Sequence, residues 1–159
     1  MDYRIVVAKQ ARTLTLLREN RVERHYPIAL GRNSAADKSV EGDQATPLGE
    51  FYICAKNPRS KYFLSLCISY PNAEDAQRGL AAGLIAAEEC AQILEAIRAG
   101  RMPPQHTRLG GEIYIHGRGT AQRGMGEVDW TRGCIALHDA DMQHLYDRAA
   151  LGTPVSINA

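Results

Sequence analysis

The first half of the chain is cut into short extended runs, and this limits its possible folds more than any other feature. Tyr3–Ala8 is apolar and β-branched, Leu14–Leu17 follows a polar break, and Arg24–Leu30 closes on Gly31. Runs of this length and composition between turn residues predict a strand-turn-strand meander. The polar, glycine-bearing stretch 31–46 reads as loop. Pro47-Leu48-Gly49 is a turn leading into a strand at Glu50–Ala55, and a further strand, Tyr62–Tyr70, stops at Pro71-Asn72. Later strands are expected at Glu112–His116, with Ile113 and Ile115 facing one way, at Ile135–Leu137 and at Val155–Ile157. A helical period appears twice. Ile85–Ala99 gathers Cys90, Ile93, Leu94 and Ile97 on one face and ends at Gly100. A second helix runs from a cap at Asp139 to about Ala150, with Met142, Leu145, Tyr146 and Ala149 inward and Gly152 past its end. The expectation is a mostly-β domain with two helices, the first lying in an insertion between strands.

A length of 159 residues favours one domain, 1–159, with a real core. The net charge of +1 supplies no field for nucleic acid or anionic lipid. The apolar runs fall short of the roughly 20 residues needed to span a bilayer. Met1-Asp2-Tyr3-Arg4-Ile5-Val6-Val7 lacks the basic start, apolar stretch and cleavage site of a signal peptide. A cytosolic protein and one whose leader has been removed are both compatible with it.

The four cysteines are Cys54, Cys67, Cys90 and Cys134, with no CxxC pair and no zinc-template spacing. The first three sit among apolar residues and read as buried thiols. Cys134 has different company. It follows Gly133 at the far end of a loop whose near end is His116, and Gly117, Gly119, Gly124 and Gly126 let that loop fold back. A thiol of ordinary pKa is only a few per cent thiolate at neutral pH, and a histidine within reach can take its proton. Gly133 lets a carbonyl approach the backbone closely, and the N–H groups around Gly133 and Cys134 are candidate oxyanion donors. Taken by themselves these residues leave rivals open. His138, His25, His106 and His144 are alternative partners, with His138 second after His116. A three-ligand metal site from Cys134, His116 and His138 is also conceivable.

A resemblance narrows the choice. Ile115-His116-Gly117, a loop, and Thr131-Arg132-Gly133-Cys134-Ile135 resemble the signature of L,D-transpeptidases of the YkuD type: a His, a gap, then Ser or Thr, any residue, Gly and Cys. Gly42-Asp43-Gln44-Ala45-Thr46-Pro47-Leu48-Gly49-Glu50-Phe51 resembles the upstream segment of that family, and Gly152-Thr153-Pro154-Val155 resembles its closing strand. The resemblance implies the family's β-sandwich, with Cys134 as nucleophile, His116 as base and the backbone carbonyl of Gly117 orienting the imidazole. It implies substrates that are peptidoglycan stem peptides, attacked at the meso-diaminopimelate carbonyl, and inhibition by carbapenem-type β-lactams. It implies no metal or organic cofactor, and residence in the periplasm or cell envelope. Thr131 matches a hydroxyl placed near the site; its alternative is a turn hydroxyl bonding its own backbone. Arg132, with Arg118 and Arg123 on the same loop, is suited to hold a substrate carboxylate through a guanidinium fork. Tyr70 and Trp130 are candidates to line the cleft, or to sit in the core. Asp43 and Thr46 read as turn chemistry shaping the cleft floor.

This chain also departs from the common pattern. Arg132 stands where many members have His, and Ala136 where many have Arg or Asn. Gly133-Cys134-Ile135-Ala136-Leu137 together with Ser69-Tyr70-Pro71-Asn72 looks more like the subgroup related to YafK, in which hydrolysis of peptidoglycan-linked bonds is an alternative to cross-linking. Hydrolysis as an L,D-carboxypeptidase or amidase, and a non-catalytic wall-binding module on the same fold, are the competing functions.

Overall fold

A computed structural model describes residues 2–119 and 129–159. Arg123, Gly124 and Gly126 therefore lie outside the described residues. The elements run β1 (Tyr3–Ala8), β2 (Thr13–Arg18), β3 (Arg21–Pro27), β4 (Leu30–Gly31), β5 (Gly49–Ser60), β6 (Phe63–Ile68), α1 (Ala73–Ala81), α2 (Ala87–Arg98), β7 (Tyr114–His116), β8 (Asp129–Thr131), β9 (Ile135–Ala136), α3 (Asp139–Arg148) and β10 (Pro154–Asn158). Eight strands form one sheet in the order β3-β2-β1-β10-β5-β6-β7-β9, and β4 and β8 make a separate pair.

The mostly-β expectation holds, and the two layers of the sandwich are one curled sheet. The long strand β5 belongs to both halves: its first part pairs with β10 and its later part with β6. Register shifts at Ile53/Ala55 and Asn57/Ser60 bend it between those partners, as bulges do by inserting an unpaired residue and raising local twist. The alternate positions Ile5 and Val7, Leu14 and Leu16, Phe51 and Ile53, Leu66 and Ile68, and Val155 and Ile157 then meet in one buried core with Ile115, Ile135 and the α3 residues Met142 and Leu145. Each such side chain contributes about 1.5–3 kcal/mol by burial.

The structure has three helices among the described residues rather than two. α1 follows directly on Asn72, whose side chain accepts from the Asp75 N–H while the Asp75 carboxylate accepts from the Asn72 N–H. This is a reciprocal capping box. It was hidden because α1 buries only Asp75, Ala76 and Gly79, so no large apolar residues mark its period. An added Cβ on Gly79 would lie 2.6 Å from Leu109 Cδ2, so the buried Leu109 side chain would have to shift to admit it. The insertion is thus a two-helix unit with its own small core of Ala76, Ile85, Cys90, Ile93 and Leu109.

Three further expectations change. The run Arg24–Leu30 is broken after Pro27, and Leu30–Gly31 pairs in parallel with β8, a strand inside what read as loop. Asp139 does not cap α3: the N-cap residue is His138, which makes no side-chain cap bond, and Asp139 points elsewhere. Of the three cysteines read as buried, Cys67 and Cys90 are, but Cys54 is only half-buried. No helix among the described residues is long and apolar enough to cross a membrane.

Candidate active site

The site is built on two adjacent parallel strands. Ile115 pairs with Ile135 and His116 with Ala136. Ile113, Ile115 and Ile135 face the core. Because side chains alternate along a strand, Tyr114, His116, Cys134 and Ala136 share the opposite face. Cys134 sits one residue before β9, beside Tyr114, and His116 lies one pleat further along the neighbouring strand. The structure brings the two residues onto one face of adjacent strands, and among the described residues Sγ bonds to Tyr114 and Glu112 rather than to the imidazole.

His116 is 3% exposed, and its Nδ1 lies 2.6 Å from the Gly117 carbonyl oxygen. A carbonyl only accepts, so Nδ1 carries the proton and Nε2 keeps its lone pair. Burial, reinforced by the charge of Lys61, lowers the imidazole pKa below its ordinary 6.5, with the Gly117 bond opposing them. The neutral ring is the resting form at pH 7. It is held by stacking on Tyr62 (centroids 4.4 Å apart, planes at 20°) and by an edge contact with Trp130 at 6.0 Å. The Gly117 loop is held in turn by Asp139, whose Oδ1 accepts from the N–H of Arg118 at 2.6 Å and of Gly119 at 3.2 Å. This is why Asp139 is not available as a helix cap. An added Cβ on Gly117 would lie 2.9 Å from the Tyr62 carbonyl oxygen, so only glycine fits there.

Cys134 is half-buried. Its Sγ receives the Tyr114 N–H at 3.4 Å and faces the Glu112 carbonyl at 3.5 Å. Desolvation pushes the thiol up to about 11; the Tyr114 N–H and the charge of Lys38 lower it, and Glu112 raises it. Thiol and imidazole are therefore both neutral at rest.

The turn before Cys134 is shaped by Thr131. Its hydroxyl donates to the Cys134 carbonyl at 2.7 Å and accepts the Gly133 N–H at 3.1 Å. Thr131 is buried, so this is the turn-hydroxyl alternative. The same bond removes the Gly133 N–H from the candidate oxyanion donors. The Cys134 N–H has no partner among the described residues. Arg132 is exposed beside the nucleophile and Arg118 is half-buried. Tyr70 is corrected: it is fully buried and its hydroxyl donates to the Leu109 carbonyl at 2.6 Å, so it belongs to the core and does not line the cleft. Trp130 is also buried, but against His116. His138 is exposed, and no three His, Cys, Asp or Glu side chains converge on a metal-sized site among the described residues.

The upstream segment reaches the site from below. The Asp43 carboxylate accepts from the N–H groups of Ser39, Val40 and Ala45 and pairs with Lys38 at 3.0 Å. Burial opposes its charge, but these donors hold its pKa below the usual value. Sequence reasoning missed three residues that build the site: Tyr62, Asp139 and Lys38. Only Asp139 carried a signal, as an acidic residue shortly after the nucleophile.

Gly133 has φ of +138°, and an added Cβ would lie 2.7 Å from the Ala45 carbonyl oxygen. Gly133→Ala is expected to destabilise the fold by about 1–3 kcal/mol through backbone strain and to displace Cys134. Denaturant unfolding, read together with Cys134 labelling, checks both effects.

Comparison with known proteins gives the arrangement its context. The sequence matches the family described as YkuD, L,D-transpeptidase catalytic domain, over residues 2–157. It is 30% identical over 116 residues to the YkuD protein of Bacillus subtilis (strain 168), a stretch covering 69% of this chain and 65% of that protein. The helical cell shape determining protein Pgp2 from Campylobacter jejuni superposes with a TM-score of 0.66 at 21% identity, over 98% of this chain and 47% of that one. The L,D-transpeptidase LdtMt1, solved in complex with imipenem, superposes at 0.55 with 17% identity, over 98% of this chain and 58% of that one. At those identities the two solved structures speak for the fold alone. The chain spans 65% or less of the length of each of these relatives. The family match, by contrast, runs almost from end to end: this chain belongs to the L,D-transpeptidase catalytic domain family, a family of enzymes.

Proposed function

We propose that this chain carries out cysteine-dependent acyl transfer on peptidoglycan stem peptides, at the meso-diaminopimelate carbonyl, through a thioester on Cys134. The observation that carries the reading is the Nδ1–H bond to the Gly117 carbonyl. It leaves Nε2 as a free base on the sheet face that bears Cys134. The thiol gives its proton to Nε2 while sulfur attacks the carbonyl carbon. With the thiol near 11 and the imidazole below 6.5, a separate proton transfer is uphill, so it accompanies bond formation. The carbonyl oxygen becomes an oxyanion facing the Cys134 N–H. Collapse expels the amine of a D-amino acid or a linked stem, which takes the proton from Nε2. A second acceptor, an amine or water, then gives its proton to Nε2, attacks the thioester and frees the thiol. The exposed Arg132 is placed to meet a free carboxylate of the diaminopimelate centre. Residence in the cell envelope follows from this reading, since that is where the substrate lies.

One observation favours hydrolysis as the second outcome. Ala136 is paired with His116 and is buried, so a methyl group occupies the position beside the base. Among the described residues no polar side chain stands at that position to hold an acceptor amine in preference to water. We expect hydrolysis at the diaminopimelate bond to be at least comparable with cross-link formation. Incubation with mixed donor and acceptor muropeptides, read by mass, tests it: 3–3 dimers greatly outnumbering trimmed monomers would reject the hydrolytic reading. Acylation of Cys134 by a carbapenem separates both enzyme readings from a wall-binding module, which has no use for an activated thiol.

A further inference from the structure

Thr46 is completely buried, yet it touches the turn of the nucleophile. Its hydroxyl accepts the Gly31 N–H at 3.1 Å and lies 2.8 Å from the Gly133 carbonyl oxygen. The first bond uses an oxygen lone pair, so the hydroxyl proton is directed to Gly133. The Thr46 backbone is anchored as well: its carbonyl accepts from Lys9 Nζ at 2.6 Å, and the same ammonium holds the Ala36 carbonyl at 2.8 Å. Lys9 is 3% exposed, so this clamp is shielded from water. Gly31 closes the arrangement. An added Cβ there would collide with the Gln44 carbonyl oxygen and lie 3.0 Å from Gly133 Cα.

The consequence falls on the peptide joining Gly133 to Cys134. In a trans peptide the C=O and N–H point in opposite directions. Holding the Gly133 carbonyl inward on Thr46 turns the Cys134 N–H outward. A hydrogen bond accepted by the carbonyl also polarises the amide and strengthens its N–H as a donor. Gly133 gives this peptide an unusual freedom, with φ of +138°. Thr131 holds the Gly133 N–H and the Cys134 carbonyl, which belong to the peptides on either side, so the bond that fixes this one is the Thr46 hydroxyl on the Gly133 carbonyl. We propose that Thr46, anchored by Lys9 and Gly31, is the positioning residue of the oxyanion site. It sets the direction and strength of the Cys134 N–H without touching the substrate. This rests on the acyl-transfer reading above and assigns to Thr46 more than turn chemistry.

The experiment compares two reactions of the same sulfur in the full chain. Acylation by imipenem develops an oxyanion; alkylation by iodoacetamide does not. In Thr46→Val we expect acylation to slow by about 10- to 100-fold, less than the 10²–10³ for deleting an oxyanion donor outright, because the N–H remains but is misdirected. Alkylation of Cys134 across pH should stay within about twofold of wild type. Thr46→Ser, which keeps the hydroxyl, should restore acylation to within a few-fold. Thr46→Ala gives the same split in a variant that brings no methyl against the Gly133 carbonyl, should Thr46→Val not fold. Equal acylation by wild type and the hydroxyl-free variants overturns the assignment alone. A parallel fall in acylation and alkylation also overturns it, since Thr46 would then serve only the thiol or the fold. Failure of wild type to be acylated while iodoacetamide still labels Cys134 overturns the acyl-transfer reading, and the assignment with it.

Discussion

Cys134→Ala is expected to abolish turnover, by about 10³-fold or more, while the protein stays folded. A covalent nucleophile has no substitute in the site, and its removal costs on that scale. The structural cost is small. Among the described residues Sγ makes two long hydrogen bonds, with the Tyr114 N–H at 3.4 Å and the Glu112 carbonyl at 3.5 Å. The side chain is half-buried, so its loss leaves no sealed cavity. Product analysis on muropeptides, with thermal unfolding in parallel, checks both parts. Activity surviving in the folded variant would sink the thioester mechanism.

His116→Ala is expected to lower acylation at pH 7 by about 10²–10⁴-fold, the range for a positioned general base, and to change the shape of the pH profile. In wild type the base must be neutral. Acylation should rise with pH through the imidazole pKa, which lies below 6.5, and then level off. Without the imidazole that acidic limb disappears. Reactivity then climbs toward the thiol's own ionisation, pushed up to about 11 by burial. His138→Ala, at an exposed position, should leave the profile as it is. The reverse pattern, with His138→Ala shifting the profile and His116→Ala not, would reassign the base. The same lowered pKa bears on stability. The unfolded chain takes up a proton near 6.5, whereas folded His116 resists it. Stability linked to His116 is thus present above pH 6.5 and is lost as pH falls from there toward the folded-state pKa. Urea midpoints for wild type should fall over that window more steeply than for His116→Ala.

Much of the fold is readable because its signals are local. β1, β2 and the first part of β5 alternate buried and less buried residues, and β6 is a continuous apolar run, buried after its first residue and stopped by Pro71-Asn72. α2 and α3 show their period in Cys90, Ile93, Met142 and Leu145. α1 is less legible because a helix packed through Ala and Gly leaves no apolar stripe, although Asn72 and Asp75 announce its cap. The bulges of β5 are likewise unmarked, since they follow from the two different partners that this strand must serve.

The candidate site divides along the same line. The residue types of Cys134, His116 and Gly133 and their order along the chain belong to the sequence by itself, because a nucleophile, a base and a glycine allowing close approach need particular side chains. What surrounds them does not. Tyr70 reads equally well as cleft or core until its hydroxyl is found on Leu109. Asp139 reads as a cap until its carboxylate is found holding the loop that carries Gly117. Thr46 reads as turn chemistry until its hydroxyl is found on Gly133, 87 residues away in the chain, while Lys9 reaches Thr46 across 37. Each of these polar groups meets a partner that is remote in sequence, and where that partner is buried, leaving it unsatisfied would cost about 1–3 kcal/mol. The sequence by itself determined which chemistry is possible and roughly where most of the longer strands lie. Only the tertiary structure decided which carbonyl each buried donor meets, because that choice is made by packing between segments that local preferences never bring together.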